Sequence, residues 1–307
     1  MGTSVSVKLW HEDEVRARLA IEAVMSEMRR IDDTLSPYKA DSELSKVNRE
    51  AGLAPMSISP ELSRLIDKAL YFSRASGGAF DISFASVGHQ YDYREKRKPS
   101  EKQREQLMKA VNYRFIQHDK VAHRLFFTQP NLQIDLGGIA KGYAVDRAAG
   151  ILAQQGVKHA TVSAGGDSRI IGDKRGEPWV IGIKKPRGLD HTKVTSARDE
   201  VAILLPLVNT AISTSGDYER YFIDPATGER VHHIINPRTG KSASGVVSVS
   251  ILGQSGFDTD PLSTTVFVLG VEKGLALVNQ FTGFDCVIID AKGDVHYSKG
   301  LMPPVND

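Results

Sequence analysis

Cysteine is nearly absent: Cys286 stands alone among 307 residues, so no internal disulfide can form. Its setting in the apolar run D-C-V-I-I-D marks an inert core thiol, compatible with the cytoplasm or with export of a protein that needs no disulfides. No cluster of cysteine and histidine has the spacing of a zinc site. No charge excess exists either. Thirty-nine basic side chains against 37 acidic ones leave +2, which gives no reason to expect nucleic acid. The densest basic run, R-E-K-R-K from Arg94 to Lys98, contains a glutamate and abuts Pro99, as a solvated loop would. No apolar run approaches the roughly 20 residues that cross a bilayer, so no transmembrane segment is expected. Neither the dinucleotide fingerprint G-x-G-x-x-G nor a Walker loop occurs. Linkers, low-complexity tracts and fixed-period repeats are missing too. The chain 1–307 therefore reads as a single large domain, with two intimately joined lobes as the other arrangement its length allows.

What is present is organised around Asn131 to Arg147, N-L-Q-I-D-L-G-G-I-A-K-G-Y-A-V-D-R. A short apolar run ends at Asp135 and Leu136, Gly137 and Gly138 make a turn, and a helical period follows. Ala140, Ala144, Ala148, Ile151 and Leu152 form one stripe, with Gly156 placed to end the helix. Free N–H groups at a helix start suit an anion, particularly a phosphate, near Lys141. Gly138 and Gly142 would let a flat ligand approach the backbone. The same residues also describe a plain strand–turn–helix corner.

Along the chain, Ser4 to Trp10 alternates as a strand, and His11 to Arg30 has a helical face of Ala17, Ala20, Ile21, Val24, Met25 and Met28. A polar, turn-rich stretch carries Tyr38, either a lid over an apolar patch or a ring for an aromatic ligand. Ser59-Pro60-Glu61 starts a helix that Gly77-Gly78 stops. F-D-I-S-F reads as a short strand, and Ser100 with Gln103 as a capping box for a helix through Ala110. Strands are expected at 124–128, 132–136, 231–235 and 245–252. Trp179–Lys184 and Val201–Val208 should continue the main sheet, with 285–290 its final strand. Helices are expected at 261–269 and 273–281. Hairpin-like strand pairs flanked by helices predict an α+β fold with mainly antiparallel sheets.

Three glycine–acid pairs sit at strand ends: Asp135 before Gly137, Gly166 before Asp167, and Gly216 before Asp217. Each alone is a common turn; together they point to one cleft built for close backbone approach. In F-D-T-D-P-L-S-T-T, Pro261 fits a first helical position, which would make Asp260 the N-cap with Thr264 one turn on. A carboxylate and a hydroxyl so placed are hard donors of the kind Mg²⁺ takes, or simply a cap above a buried threonine. In V-H-H-I-I-N-P-R-T-G, alternation lets only one of His232 and His233 face a cleft, where it could take a proton from a hydroxyl.

The ordered set S-P-Y-K-A-D-S-E-L-S-K-V-N, I-D-L-G-G-I-A-K-G-Y-A-V-D-R, A-G-G-D-S-R, T-S-G-D-Y, H-I-I-N-P-R-T-G and D-P-L-S-T-T-V-F-V-L-G resembles the ApbE family of FAD:protein FMN transferases. It spans essentially the whole chain. The resemblance implies a T-fold-like architecture with a smaller lobe and an FAD cleft between. It also implies Mg²⁺-dependent transfer of FMN from FAD to a Ser or Thr hydroxyl of a target protein, with release of AMP. Asp260 and Thr264 fall on the family's metal ligands, with backbone carbonyls of Ala140 and Ser263 completing the set. His233 falls on the proposed base and Tyr38 on the flavin end. Asp135, Gly137, Gly138, Lys141, Gly166, Asp167 and Asp217 belong to the cleft motifs that bind FAD. Departures are Asn236 where the family usually has aspartate, Pro261 in place of a small residue, and S-V-G-H-Q-Y-D-Y-R-E-K-R, which fits poorly. The expected partners are acceptor flavoprotein subunits of membrane redox complexes. The expected location is the periplasm, with any signal or lipid anchor belonging to a precursor rather than to this chain. The alternatives are an FAD pyrophosphatase yielding FMN and AMP, and a flavin-binding carrier without chemistry.

Overall fold

Antiparallel pairing runs through every sheet of this protein, and helices cover the sheets, as the patterning predicts. The structure, a computed structural model, describes residues 3–184 and 201–302; the N-terminal Gly2, from which the motif match runs, lies outside them. In chain order its elements begin β1 (Val5–Trp10), α1 (Glu14–Leu35), α2 (Glu43–Glu50), β2 (Met56–Ser57), α3 (Pro60–Ala75), α4 (Ala85–Gly88), α5 (Glu101–Met108), β3 (Ile116–Asp119), β4 (Arg124–Phe127) and α6 (Ala140–Gln154). There follow β5 (His159–Ala164), β6 (Asp167–Ile171), β7 (Trp179–Lys184), β8 (Val201–Leu207), β9 (Ala211–Gly216), β10 (Tyr221–Ile223) and β11 (Arg230–His232). The chain closes with β12 (Val246–Gly253), α7 (Gly256–Leu269), α8 (Val271–Val278), β13 (Asp285–Asp290) and β14 (Val295–Tyr297). They form two compact units, one of Met1–Arg30, Lys141–Gly216 and Ser244–Asp307, the other of Ile31–Ala140 and Asp217–Ala243.

The first unit is built on a seven-stranded sheet in the order β1-β5-β6-β9-β12-β13-β14. Alternate side chains of its strands bury Val162, Ile170, Val249, Ile251 and Ile288, and α7 lies against β9 and β12. Among the described residues, strands β7 and β8 pair only with each other instead of continuing this sheet, and β14, not β13, ends it. The second unit carries the three-stranded sheet β2-β4-β3 and the pair β10-β11 around a core that includes Leu44, Leu65, Ile66, Phe127 and Ile134.

Local signals predict the helix ends well. Ser59 caps α3 through Leu62 N–H, Pro60 occupies its first turn, and Gly77 and Gly78 leave it with φ of +59° and +86°. Around α5 both bonds of the capping box form. Three expected strands change. F-D-I-S-F is a 3₁₀ turn at Ile82–Phe84, because the Asp81 carboxylate caps it through Ser83. The 231–235 strand closes at His232. Residues 132–136 join no ladder: side chains take the backbone groups of Gln133 and Ile134, and the Asp135 N–H donates to the Ile82 carbonyl. Asn48 takes both the N–H and the C=O of Ile134, and Ser86 takes the N–H of Gln133.

Candidate active site

Helix α6 places Lys141 in its first turn, directly after Ala140. The Lys141 ammonium stands between two buried carboxylates: 2.7 Å from Asp167 Oδ2, at the start of β6, and 3.1 Å from Asp260 Oδ1 in α7. Gly142 N–H donates to Asp260 Oδ2 at 2.9 Å. Burial, and after it the Asp167 charge, raise the Asp260 carboxyl above its ordinary range, against the pull of Lys141. Burial also works to lower the Lys141 ammonium, but the two carboxylates outweigh it and hold it above the usual lysine value.

The expected N-cap role of Asp260 is overturned. Helix α7 starts at Gly256, so Asp260 lies inside it and Pro261 stands in its second turn. The cap comes from α6. Asp146 accepts from the N–H groups of Gly256 and Phe257 and from Ser255 Oγ, at 2.9, 3.0 and 2.8 Å. Gly142 is not open to a ligand either: a side chain there would meet the Gly256 carbonyl and Asp260 Cβ. The two helices cross glycine on glycine, and this fixes Asp260 over Lys141. Gly166 is likewise filled, by the carbonyl of Thr214.

A hydroxyl array lies beside the carboxylates. Ser215 Oγ is 2.8 Å from Ser263 Oγ and 3.3 Å from Thr264 Oγ1, while Ser263 donates to the Asp260 carbonyl at 2.8 Å. Asp167, 1% exposed, has one oxygen, Oδ1, without a hydrogen-bond donor among the described residues. Two carboxylates, hydroxyls and a buried carboxylate oxygen without a donor match the hard-donor chemistry of Mg²⁺. Among the described residues no group of three or more His, Cys, Asp or Glu could hold a metal. The groups that could hold a cation here are Asp260, Thr264 and Ser263, together with carbonyls and water.

In the second unit the Asp135 carboxylate accepts from Gly137 N–H at 2.6 Å, shaping the turn that includes half-buried Gly138 and leads to α6. Asp217 opens the second segment of that unit, 3.9 Å from Arg230, which stacks on Tyr221. Burial raises its carboxyl, opposed by Arg230. Tyr38 is 81% exposed. The two histidines divide as alternation requires. The His232 ring is buried against the carbonyl of Ala243, while His233 is half-buried, its backbone N–H on the carbonyl of Arg220. Asn236 keeps its turn by accepting from Arg238 N–H.

A family model described as ApbE family matches residues 1–288. The chain belongs to the ApbE family. A protein named FAD:protein FMN transferase from Treponema pallidum is 30% identical, covering 99% of this chain and 86% of the relative. One of the same name from Klebsiella pneumoniae is 29% identical over 96% and 88%. The crystal structure of the ApbE protein of Thermotoga maritima superposes with a TM-score of 0.85 at 35% identity, over 97% of this chain and 94% of that one. The flavin transferase ApbE of Vibrio cholerae does so with 0.83 at 26% and the same coverage. No described helix is long and apolar enough to cross a membrane.

The residues that motif reading missed lie largely where this chain departs from the ApbE pattern. In S-V-G-H-Q-Y-D-Y-R-E-K-R, the Tyr91 and Tyr93 rings stack 6.2 Å apart, and Tyr93 meets Phe222. Tyr91 donates to the Gly240 carbonyl at 2.7 Å, and His89 reaches Asp135. The i, i+2 spacing of the tyrosines was the available signal. Asp146 and Ser215 gave none, because their partners lie 109 and 48 residues away.

Proposed function

We propose that this ApbE-family chain transfers FMN from FAD to a Ser or Thr hydroxyl of a protein, in a Mg²⁺-dependent reaction that releases AMP. The observation that carries the reading is the buried Asp167–Lys141–Asp260 cluster with its adjoining hydroxyls, set at the start of α6 in a family whose curated relatives are FAD:protein FMN transferases. Asp260 and Thr264 would hold the metal with the carbonyls of Ala140 and Ser263, and when bound it would neutralise charge on the pyrophosphate. Lys141 keeps the buried carboxylates ordered and balanced. His233 takes the proton of the acceptor hydroxyl as its oxygen attacks the FMN phosphorus and the bond to the AMP phosphate breaks. Tyr38 presents an exposed ring to the flavin, and Asp135, Gly137, Gly138, Gly166, Asp167 and Asp217 shape the backbone that receives the dinucleotide. The acceptors on this reading are flavoprotein subunits of membrane redox complexes, and the enzyme meets them in the periplasm.

The test is AMP release from FAD with and without Mg²⁺, comparing intact protein with Asp260→Ala in the presence of an acceptor peptide. Metal-dependent AMP with an FMN mass gain on the peptide is expected. Asp260→Ala should lose more than the about 10–100-fold that an outer-shell partner of a metal costs. AMP without mass gain would mean hydrolysis, and no AMP at all would leave a flavin-binding carrier.

A further inference from the structure

His89 has no role in the functional assignments above, yet both of its ring nitrogens are engaged beside the Asp135 turn. Residues 132–136 run extended, so Gln133 and Asp135 project to the same side, and the imidazole sits between them. His89 Nδ1 is 2.8 Å from Gln133 Oε1, and Nε2 is 3.3 Å from Asp135 Oδ2. Both ring nitrogens face oxygen acceptors, the arrangement of a ring with both N–H groups in place. The other Asp135 oxygen holds Gly137 N–H. The residue is itself anchored, its backbone N–H on the Ala85 carbonyl at 3.0 Å and its side chain 23% exposed. A line of contacts thus runs from α4 through imidazole and carboxylate to the double-glycine turn.

We propose that His89 is a positioning residue for the flavin nucleotide: it holds the Asp135 carboxylate on Gly137 N–H, and so keeps the I-D-L-G-G turn in its binding shape. This rests on the FAD reading above and adds a residue to it. Asp135 is the charged group that faces His89, with Gln133 neutral opposite; beyond the carboxylate stand Tyr38, which feels the Asp135 charge, and Arg220, which acts on Tyr38. Burial works to lower the His89 basicity, but the Asp135 carboxylate outweighs it, and the net direction is upward. The imidazolium form, with both clamps made, therefore persists to higher pH than in a free histidine. FAD affinity falls as pH rises through that titration, because a neutral ring keeps only one N–H donor.

The experiment is FAD binding followed by flavin fluorescence from pH 6 to 9, without acceptor, for intact protein, His89→Gln, Asp135→Asn and the double variant. Loss of a charge-assisted bond predicts about tenfold weaker binding at pH 6 for His89→Gln, with the alkaline decline flattened. The double variant should be little worse than Asp135→Asn alone. In turnover the loss should fall on KM for FAD with kcat within about threefold. A His89→Gln protein that binds FAD with the intact affinity and pH curve would overturn the proposal. So would equal, additive losses in the double variant. If His89→Gln does not fold, Asp135→Asn decides: without the carboxylate that raises His89, the fall in affinity should move to lower pH than in the intact protein, and an unmoved curve would overturn the proposal. Failure of the intact protein to bind FAD would instead sink the flavin reading itself.

Discussion

Replacing Gly142 by alanine adds one methyl group at the place where α6 and α7 cross. An ideal Cβ would lie 1.9 Å from the Gly256 carbonyl oxygen and 2.6 Å from Asp260 Cβ. Real Cβ contacts hardly ever fall below 3.0 Å, so the helices must part by about 1.1 Å, since the nearer obstacle is backbone and the other is a Cβ bonded directly to it. That displacement also stretches the 2.9 Å bond from Gly142 N–H to Asp260 beyond hydrogen-bond range. Overpacking costs about 1–3 kcal/mol, and a lost bond to a buried charge about 1.5–3 kcal/mol. The better helix propensity of alanine returns about 1 kcal/mol. The net loss of about 1.5–5 kcal/mol corresponds, at about 0.65 kcal/mol/K for a chain of 307 residues, to a fall in melting temperature of roughly 2–8 °C. Gly150 on the same helix is the control, because a side chain there meets nothing within 4 Å. Thermal melts of Gly142→Ala and Gly150→Ala, with AMP release on the same samples, make the comparison. Gly142→Ala should lose stability and metal-dependent activity together, while Gly150→Ala is neutral or gains. Equal melting temperatures with intact activity in both would refute the glycine-on-glycine account.

Two further substitutions probe the charges. Lys141→Met leaves Asp167 and Asp260 buried without their ammonium, a loss of about 3–5 kcal/mol and roughly 5–8 °C in melting temperature. Mg²⁺ should raise the melting temperature of that variant more than that of the intact protein, and an equal or smaller rise would count against the carboxylates as the cation's seat. Glu27 is held down to about 2 by its hydrogen bond to Arg30 and then by Arg147, against burial. A depressed carboxyl stabilises the fold above its unfolded value, and that contribution disappears as pH falls from about 4.5 to about 2. With both arginines nearly half exposed, screening leaves about 1–2 kcal/mol. Glu27→Gln should therefore be less stable by that amount at pH 7 and indistinguishable near pH 2 in urea titrations. A gap that persists at pH 2 would show that packing, not charge, is responsible.

Local chemistry was readable wherever the residues that decide it are neighbours in sequence. Ser59-Pro60 and the Ser100–Gln103 box fix helix starts within four residues, and both stand as read. The family's motif order carried the candidate site, and the structure brings Lys141, Asp167 and Asp260 together. Sequence patterning failed where a distant side chain settles local structure. Pro261 looked like a helix start, but Asp146 begins α7 five residues earlier than Pro261. Residues 132–136 had a strand's apolar alternation, but Asn48 and Ser86 took the hydrogen bonds that a neighbouring strand would have made. His89 was passed over because its partners, Gln133 and Asp135, lie more than forty positions downstream.

The borrowed cap on α7 has a consequence for anyone who would isolate the segment that carries Asp260 and Thr264. Ser255 makes no side-chain cap of its own, and the three bonds at the helix start all come from Asp146. A peptide spanning residues 255–270 would contain Asp260, Ser263 and Thr264, but also an uncapped first turn and a proline in its second. Such a fragment would hold the ligand residues without the helix that spaces them. The site is therefore a property of two helices in register, and a search of genomes for the D-P-L-S-T-T string alone would find the letters without the geometry.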